Sequence, residues 1–164
     1  MEEIIRMQKN LLLIRRTVGW TAEEFGERIG VTRQTINNIE SGRNKLTKTQ
    51  YIAIRSVLDA EMIQSPDETE MLKVLLDVLV DNPDKYSDED REELLNKANL
   101  MAPSILAGTT SRANVSREWM HIAGVIIGAN AMLSAIGAVG AGMAVVNTWL
   151  AKALYDKKSS KKER

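Results

Sequence analysis

Apolar side chains recur at three- and four-residue spacing along most of this chain. Ile4, Met7, Leu11, Leu12, Ile14 and Val18 form the first such stripe and predict a helix over 4–19. Thr21 with Glu24 three residues on has the form of a capping box, so a second helix starts there and runs to about Ile29. Gly30 supplies the left-handed backbone that ends a helix sharply. Thr32 caps a third helix through about Glu40, closed by Ser41-Gly42, and Thr47 caps a fourth over about 48–58. Ser65-Pro66-Asp67-Glu68 is another start signal, with proline in the first turn and acids behind it. The helix it opens carries Leu72, Leu75, Leu76 and Leu79 on one face and stops before Pro83. Ser87 with Asp90 opens a further helix that ends near Pro103. Gly108-Thr109-Thr110-Ser111 reads as a hinge or linker, and Ser116 caps the final helix or helices. No segment alternates with period two and no fixed-period repeat is present, so the pattern predicts an all-α protein.

The pattern changes from Ile122 to Ala151, a stretch without one charged side chain in a chain that is 27% Asp, Glu, Lys and Arg. Charge-free runs of about 18 residues or more are candidate membrane spans. Gly124 and Gly128 make a small-xxx-small pair, Gly137 and Ala141 a second, and small residues let helices approach closely. Trp119 precedes the stretch, and Trp149 and Tyr155 lie near its end, where membrane-interface aromatics sit. Three readings stay open. A single tilted span of roughly 20–25 residues would carry the basic tail across, against the tendency of basic residues to stay inside. A hairpin turning near 137–142 would keep both ends on one side, with arms short for a full crossing. The third is a buried helix, or helix pair, at the centre of a soluble dimer or bundle. An interior glycine costs about 1 kcal/mol relative to alanine, so each reading demands a close partner helix. Membrane association through 119–151, with pairing of helices, is the expectation carried forward.

Composition narrows the chemistry. The chain has no Cys and one His, which removes disulfides, thiolate sites and a two-histidine metal site. The start, Met1-Glu2-Glu3, is acidic rather than basic-then-apolar, so the N-terminal part is expected in the cytoplasm. Net charge is zero, but it is unevenly placed. Residues 1–60 hold ten Lys/Arg against seven Asp/Glu, residues 61–103 four against twelve, and residues 104–164 eight against three. The order basic, acidic, basic, with the linker at 108–111 closing the middle, divides the chain into 1–60, 61–111 and 112–164. The acidic middle would repel a polyanion; the two ends would not.

The motif with the most chemical content is TAEEFGERIGVTRQTINNIESGRN, Thr21 to Asn44. Two short helices flank a glycine turn. Ile36 and Ile39 are spaced to face a core with Phe25, Ile29 and Val31, which leaves Arg33, Gln34, Thr35, Asn37 and Asn38 outside. That set suits base edges: Arg bridges the two acceptors of guanine, and Gln or Asn pairs with adenine. An α-helix fits the DNA major groove. At Phe25-Gly26, Ile29-Gly30-Val31-Thr32, Gln34-Thr35-Ile36 and Ile39-Glu40-Ser41-Gly42-Arg43 the chain resembles the lambda-repressor/Cro type of helix-turn-helix, the XRE-like family, over about residues 8–60. The resemblance implies a bundle of about five short helices with the third as recognition helix. It also implies that Arg33, Gln34 and Asn38 face bases with Thr35 and Asn37 close by, and that Thr21, Arg43, Asn44 and Lys45 approach phosphates. Gly26 stands where the family usually has Ala, and Ala22 where some members use Gln on the backbone. The plain alternative is a solvated helix face with no partner.

Other features read as structural. The acids Asp81, Asp84, Asp88, Glu89, Asp90, Glu92 and Glu93 lack the glycine and spacing of a calcium loop and suit a helix start. His121, beside Trp119 and Met120, suits an interfacial or structural role. No catalytic set or phosphate-cradling loop can be argued, so neither an enzyme nor a cofactor is expected. The sequence therefore points to a sequence-specific, repressor-like regulator that binds double-stranded DNA. It has an N-terminal helix-turn-helix bundle, a helical middle and a long Gly/Ala-rich C-terminal helix or hairpin, and forms a homodimer or higher oligomer. The alternatives are a soluble oligomeric regulator whose C-terminal helix forms the oligomer core, and a membrane-active or sensor protein with an autoregulatory DNA-binding head.

Overall fold

A computed structural model describes residues 2–140 and 148–155. Nine α-helices and no strand occur among the described residues. They are α1 (Glu2–Thr17), α2 (Ala22–Ile29), α3 (Arg33–Glu40), α4 (Lys48–Gln64), α5 (Glu70–Leu76), α6 (Asp88–Leu106), α7 (Arg112–Ile127), α8 (Ala129–Gly140) and α9 (Thr148–Tyr155). Short 3-10 turns at Pro66–Glu68 and Pro83–Lys85 and a π turn at Asp77–Asp81 join α4 to α6. Residues 2–64 hold four helices, not the five implied by the resemblance.

The first helices end where their caps dictate. Thr21 and Thr47 each close a full capping box, with Glu24 and Gln50 as the returning side chains. Thr32 caps α3 by accepting from the Thr35 N–H. Gly30 takes φ 76°, as its place after α2 requires. Met7, Leu11, Ile14, Phe25, Ile36, Ile39, Ile54 and Leu58 are fully buried and form the core of this part. Leu13, not Leu12, belongs to it: Leu12 is 37% exposed and Leu13 5%. The reason is that α1 packs against α3, α4, α5 and α6 together. Its buried arc is wider than one stripe and takes in Asn10, Arg15 and Thr17.

The predicted helix after Pro66 is buried all round rather than on one face. Met71, Leu72, Val74, Leu75, Leu76, Val78, Leu79 and Val80 are all buried, the pattern of a helix enclosed by neighbours. Lys73 joins them by donating Nζ to the Pro66 carbonyl at 3.0 Å, and burial pushes its pKa down. The helical ladder widens at its end, where the Asn82 N–H donates to the Asp77 carbonyl at 2.8 Å. The Asp77 carboxylate holds that turn by accepting from Asn82 Nδ2 and the Tyr86 hydroxyl. Asp81 accepts a bidentate pair from Arg55 of α4 at 3.0 and 3.1 Å. The acidic run thus has Asp81 in an ion pair and Asp84 in the 3-10 turn; the other five lie at the start of α6, where Ser87 caps the Asp90 N–H.

The uncharged stretch is not one helix. Ile122–Ile127 complete α7, Gly128 breaks the chain direction at φ 83°, and α8 follows. No helix among the described residues is long and apolar enough to cross a membrane. A break falls at Gly128; the hairpin turn expected near 137–142 falls partly on residues outside those described. Ser111, not Ser116, caps α7. Ser116 is buried within the helix. Gly124 and Gly128 therefore do not lie on one continuous helix: a Cβ on Gly124 would lie 3.6 Å from Met132 Sδ of α8, and Gly128 is the turn. Gly137 lies within α8, while Ala141 and the tail beyond Tyr155 lie outside the described residues. Trp119 is no interfacial aromatic but is fully buried. Trp149 packs edge-on to Tyr51 of α4, with ring centres 5.9 Å apart, and donates Nε1 to Asp59 at 2.6 Å. Lys152 pairs with Glu3. The last helix so lies on α4 and the start of α1.

Two predictions follow from this packing. Burial raises the Asp59 pKa from 3.8 to about 6, with Arg55 and the Trp149 N–H opposing. The folded state binds that proton more tightly than the unfolded chain, so the group's contribution to stability is full below about pH 4 and is lost as pH rises through about 6. Asp59→Asn keeps an acceptor for Trp149 and removes the titration. The melting temperature of the native protein, relative to Asp59→Asn, should fall between pH 4 and 7; parallel curves from circular dichroism would refute the assignment. The second concerns Gly26, where a Cβ would lie 2.6 Å from the Val31 carbonyl oxygen and 3.2 Å from the Thr32 carbonyl carbon. Both are backbone atoms and cannot swing aside. Gly26→Ala gains about 1 kcal/mol of helix propensity but should lose about 1–3 kcal/mol net through overpacking, read by urea unfolding. A variant as stable as the native protein would show that the turn adjusts freely.

Candidate nucleic-acid interface

Helix α3 is short, with eight residues, and two of them, Ile36 and Ile39, are buried. Those two anchors fix its rotation. Arg33 and Gln34 are exposed, and Thr35, Asn37 and Asn38 are half-buried. All five predicted base-reading residues therefore lie on one short helix, two of them fully in the open. Gln34 Nε2 donates to Asn38 Oδ1 at 2.9 Å, so these amides are already paired along the helix. The Thr32 and Thr35 hydroxyls share a hydrogen bond of 2.9 Å at its first turn. Arg33 makes no ion pair among the described residues. It is the cation on this helix available to a guanine or a phosphate.

The predicted phosphate contacts divide into two places. Arg43, Asn44 and Lys45 are exposed in the loop after α3, beside Gly42 at φ 76°. Thr21 is exposed at the start of α2, but its hydroxyl accepts from the Glu24 N–H at 3.2 Å and its own N–H donates to Glu24 Oε2 at 2.7 Å. Those bonds hold the Glu24 carboxyl below its usual range. The start of α2 thus already carries a carboxylate. Arg43 to Lys45 form the more cationic of the two places.

Three residues that the spacing of apolar positions did not single out hold this surface. Arg15 of α1 donates to both carboxylate oxygens of Glu40, at 2.6 and 3.0 Å, and to the Trp20 carbonyl at 2.8 Å. Both side chains of the pair are 7% exposed. Gln8 donates Nε2 to the Ile39 and Asn44 carbonyls at 2.9 and 2.7 Å and accepts from the Leu46 N–H at 3.0 Å. One side chain thereby ties the end of α3 and the loop of Arg43 to Lys45 onto α1. The available signal was a charged residue, Arg15, inside an apolar run: such a residue needs a partner when buried. Arg28 stacks its guanidinium 4.2 Å from the Trp20 ring, which closes the outer side of α2.

Residues 11–62 match the helix-turn-helix family model. No curated protein and no solved structure matches the chain. The matched span runs from mid-α1 to near the end of α4, which encloses the capped α2–turn–α3 unit, its buried anchors and the loop of Arg43 to Lys45. Through those residues the chain carries a helix-turn-helix domain of the lambda-repressor/Cro, XRE-like type.

Proposed function

We propose that this protein is a repressor-like transcription regulator that binds double-stranded DNA sequence-specifically, with α3 in the major groove. The observation that carries the reading is the presentation of α3. Its apolar side is locked by Ile36, Ile39 and the Arg15–Glu40 pair, while Arg33 and Gln34 stand outward. In this reading Arg33, Gln34, Thr35, Asn37 and Asn38 meet base edges. Arg43, Asn44, Lys45 and Thr21 meet phosphates, Thr21 through a backbone already tied to Glu24. Residues 1–60 carry ten basic against seven acidic side chains, so one copy neutralises few phosphates. Two copies on half-sites about one DNA turn apart supply the rest. With no membrane-crossing helix among the described residues, the role we assign to the C-terminal helices is pairing of two copies. Val125 of α7 and Leu133 of α8 support it, exposed at 81% and 68%.

Arg33→Ala tests the reading. Against a duplex selected from a random pool, it should bind about 5- to 150-fold more weakly, with less loss on unselected DNA. Lys45→Ala should weaken both equally and reduce the salt slope by about 1. Anisotropy titrations across salt concentrations measure both. Arg33→Ala binding selected and unselected duplexes as the native protein does would end the base-reading assignment.

A further inference from the structure

We propose that the DNA contact surface extends beyond the helix-turn-helix segment: the C-terminal end of α6, at Leu106, forms the outer wall of a groove that seats one sugar–phosphate strand. The proposal rests on the reading of α3 as a DNA-binding helix. A groove of about 390 Å³ opens between the starts of α2 and α3 and the end of α6, lined by Arg15, Thr21, Ala22, Arg33, Asn37 and Leu106. Three of the seven lining residues, Thr21, Arg33 and Asn37, are predicted DNA-facing residues, and Leu106 comes from outside the matched segment. Glu23 is the one acid on the lining.

The end of α6 is fixed in that position. Ile105 is buried against Gly19, where a Cβ would lie 3.3 Å from Ile105 Cγ2 and φ is 73°. Directly after the α6–α7 turn, Arg112 donates to the Val18 carbonyl at 3.2 Å and pairs with Glu61 and Glu68, each at 2.6 Å. These contacts anchor the turn to the loop after α1, to α4 and to the 3-10 turn at Pro66–Glu68, on both sides of Leu106.

Its charge also suits a polyanion. The acids of α6 lie at Asp88–Glu93, roughly 20–27 Å from Leu106 at 1.5 Å per residue. No Asp or Glu occurs from Leu94 through Arg117. A helix end normally presents bare carbonyls that repel phosphate; here those of Pro103, Ser104 and Ile105 accept hydrogen bonds. The Ala107 N–H donates to Pro103, the Gly108 N–H to Ile105, and the Thr109 and Thr110 N–H groups to Ser104, at 3.0–3.3 Å. The Thr109 hydroxyl adds a bond to Ser104 at 3.1 Å. The acidic middle of the chain therefore meets the recognition helix with its uncharged end.

Opposite charges at one position test this. Full-length Leu106→Lys and Leu106→Glu are compared with the native protein and with Arg33→Ala on an unselected duplex, by anisotropy over a salt series, with circular dichroism to verify the fold. Leu106→Lys should bind more tightly and steepen the salt slope by about 0.9. Leu106→Glu should bind roughly fivefold or more weakly. If both variants bind as the native protein does with the same salt slope while Arg33→Ala is weakened, the α6 wall is wrong and the reading of α3 stands. If the native protein and Arg33→Ala alike fail to bind, the reading of α3 falls and this inference with it.

Discussion

The ion pair between Arg15 and Glu40 is the constraint on which the DNA-facing surface depends. Both charges are almost wholly withdrawn from water, a state that costs several kcal/mol per ion unless geometry returns it. Here the geometry does: two parallel N–H donors meet two carboxylate oxygens, and a third donor goes to the Trp20 carbonyl. An apolar pair of similar volume could pack as well, but the forked bond adds a directional restraint to the rotation set by Ile36 and Ile39. Since Glu40 is the last residue of α3 and Arg15 is near the end of α1, the pair sets the angle at which Arg33 and Gln34 leave the protein.

Helix α1 extends that constraint to the rest of the fold. It meets α3 through Arg15 and Gln8, and packs on α5 and α6 as well. Arg6 donates Nε to the Val80 carbonyl at 2.8 Å, and Glu3 pairs with Lys152 of α9. The acidic middle and the last helix are thus layered on the same helix that holds the recognition helix. A disturbance in either reaches α3 through one rigid element.

Most of the helix-turn-helix was legible because local signals and tertiary packing agree there. Thr21, Thr32 and Thr47 cap in the structure where the sequence puts caps, and Gly30 ends α2. The positioning residues were not legible, since Arg15 finds Glu40 across 25 positions of chain and Gln8 finds the Ile39, Asn44 and Leu46 backbone across 31 to 38. Charge-free composition did not reveal the turn at the C-terminus: it describes what a segment avoids, and a packed helix, a glycine turn at 128 and a membrane helix all avoid charge equally. In the sequence Gly26 shows only as a departure from the family's usual Ala; its cause, the approach of the Val31 carbonyl, is a distance that no periodicity encodes.

Arg55 and Asp59, one turn apart on α4, show how the segments are joined. Arg55 gives its donors to Asp81 of the middle segment and its face to the Trp149 ring, 5.3 Å away. Asp59 accepts the Trp149 N–H and is opposed by burial. Burial also raises the Asp81 pKa against the pull of Arg55. One cation therefore serves two carboxylates in a poorly solvated site, and the indole supplies the remaining donor. Removing Trp149 would leave Asp59 with less to offset its desolvation, and Arg55 would have to compensate at the expense of Asp81. Such sharing makes the docking of α9 and the seat of the middle segment energetically coupled rather than additive. The coupling lies at the back of α4, whose first turn, at Thr47, follows directly on the loop of Arg43 to Lys45.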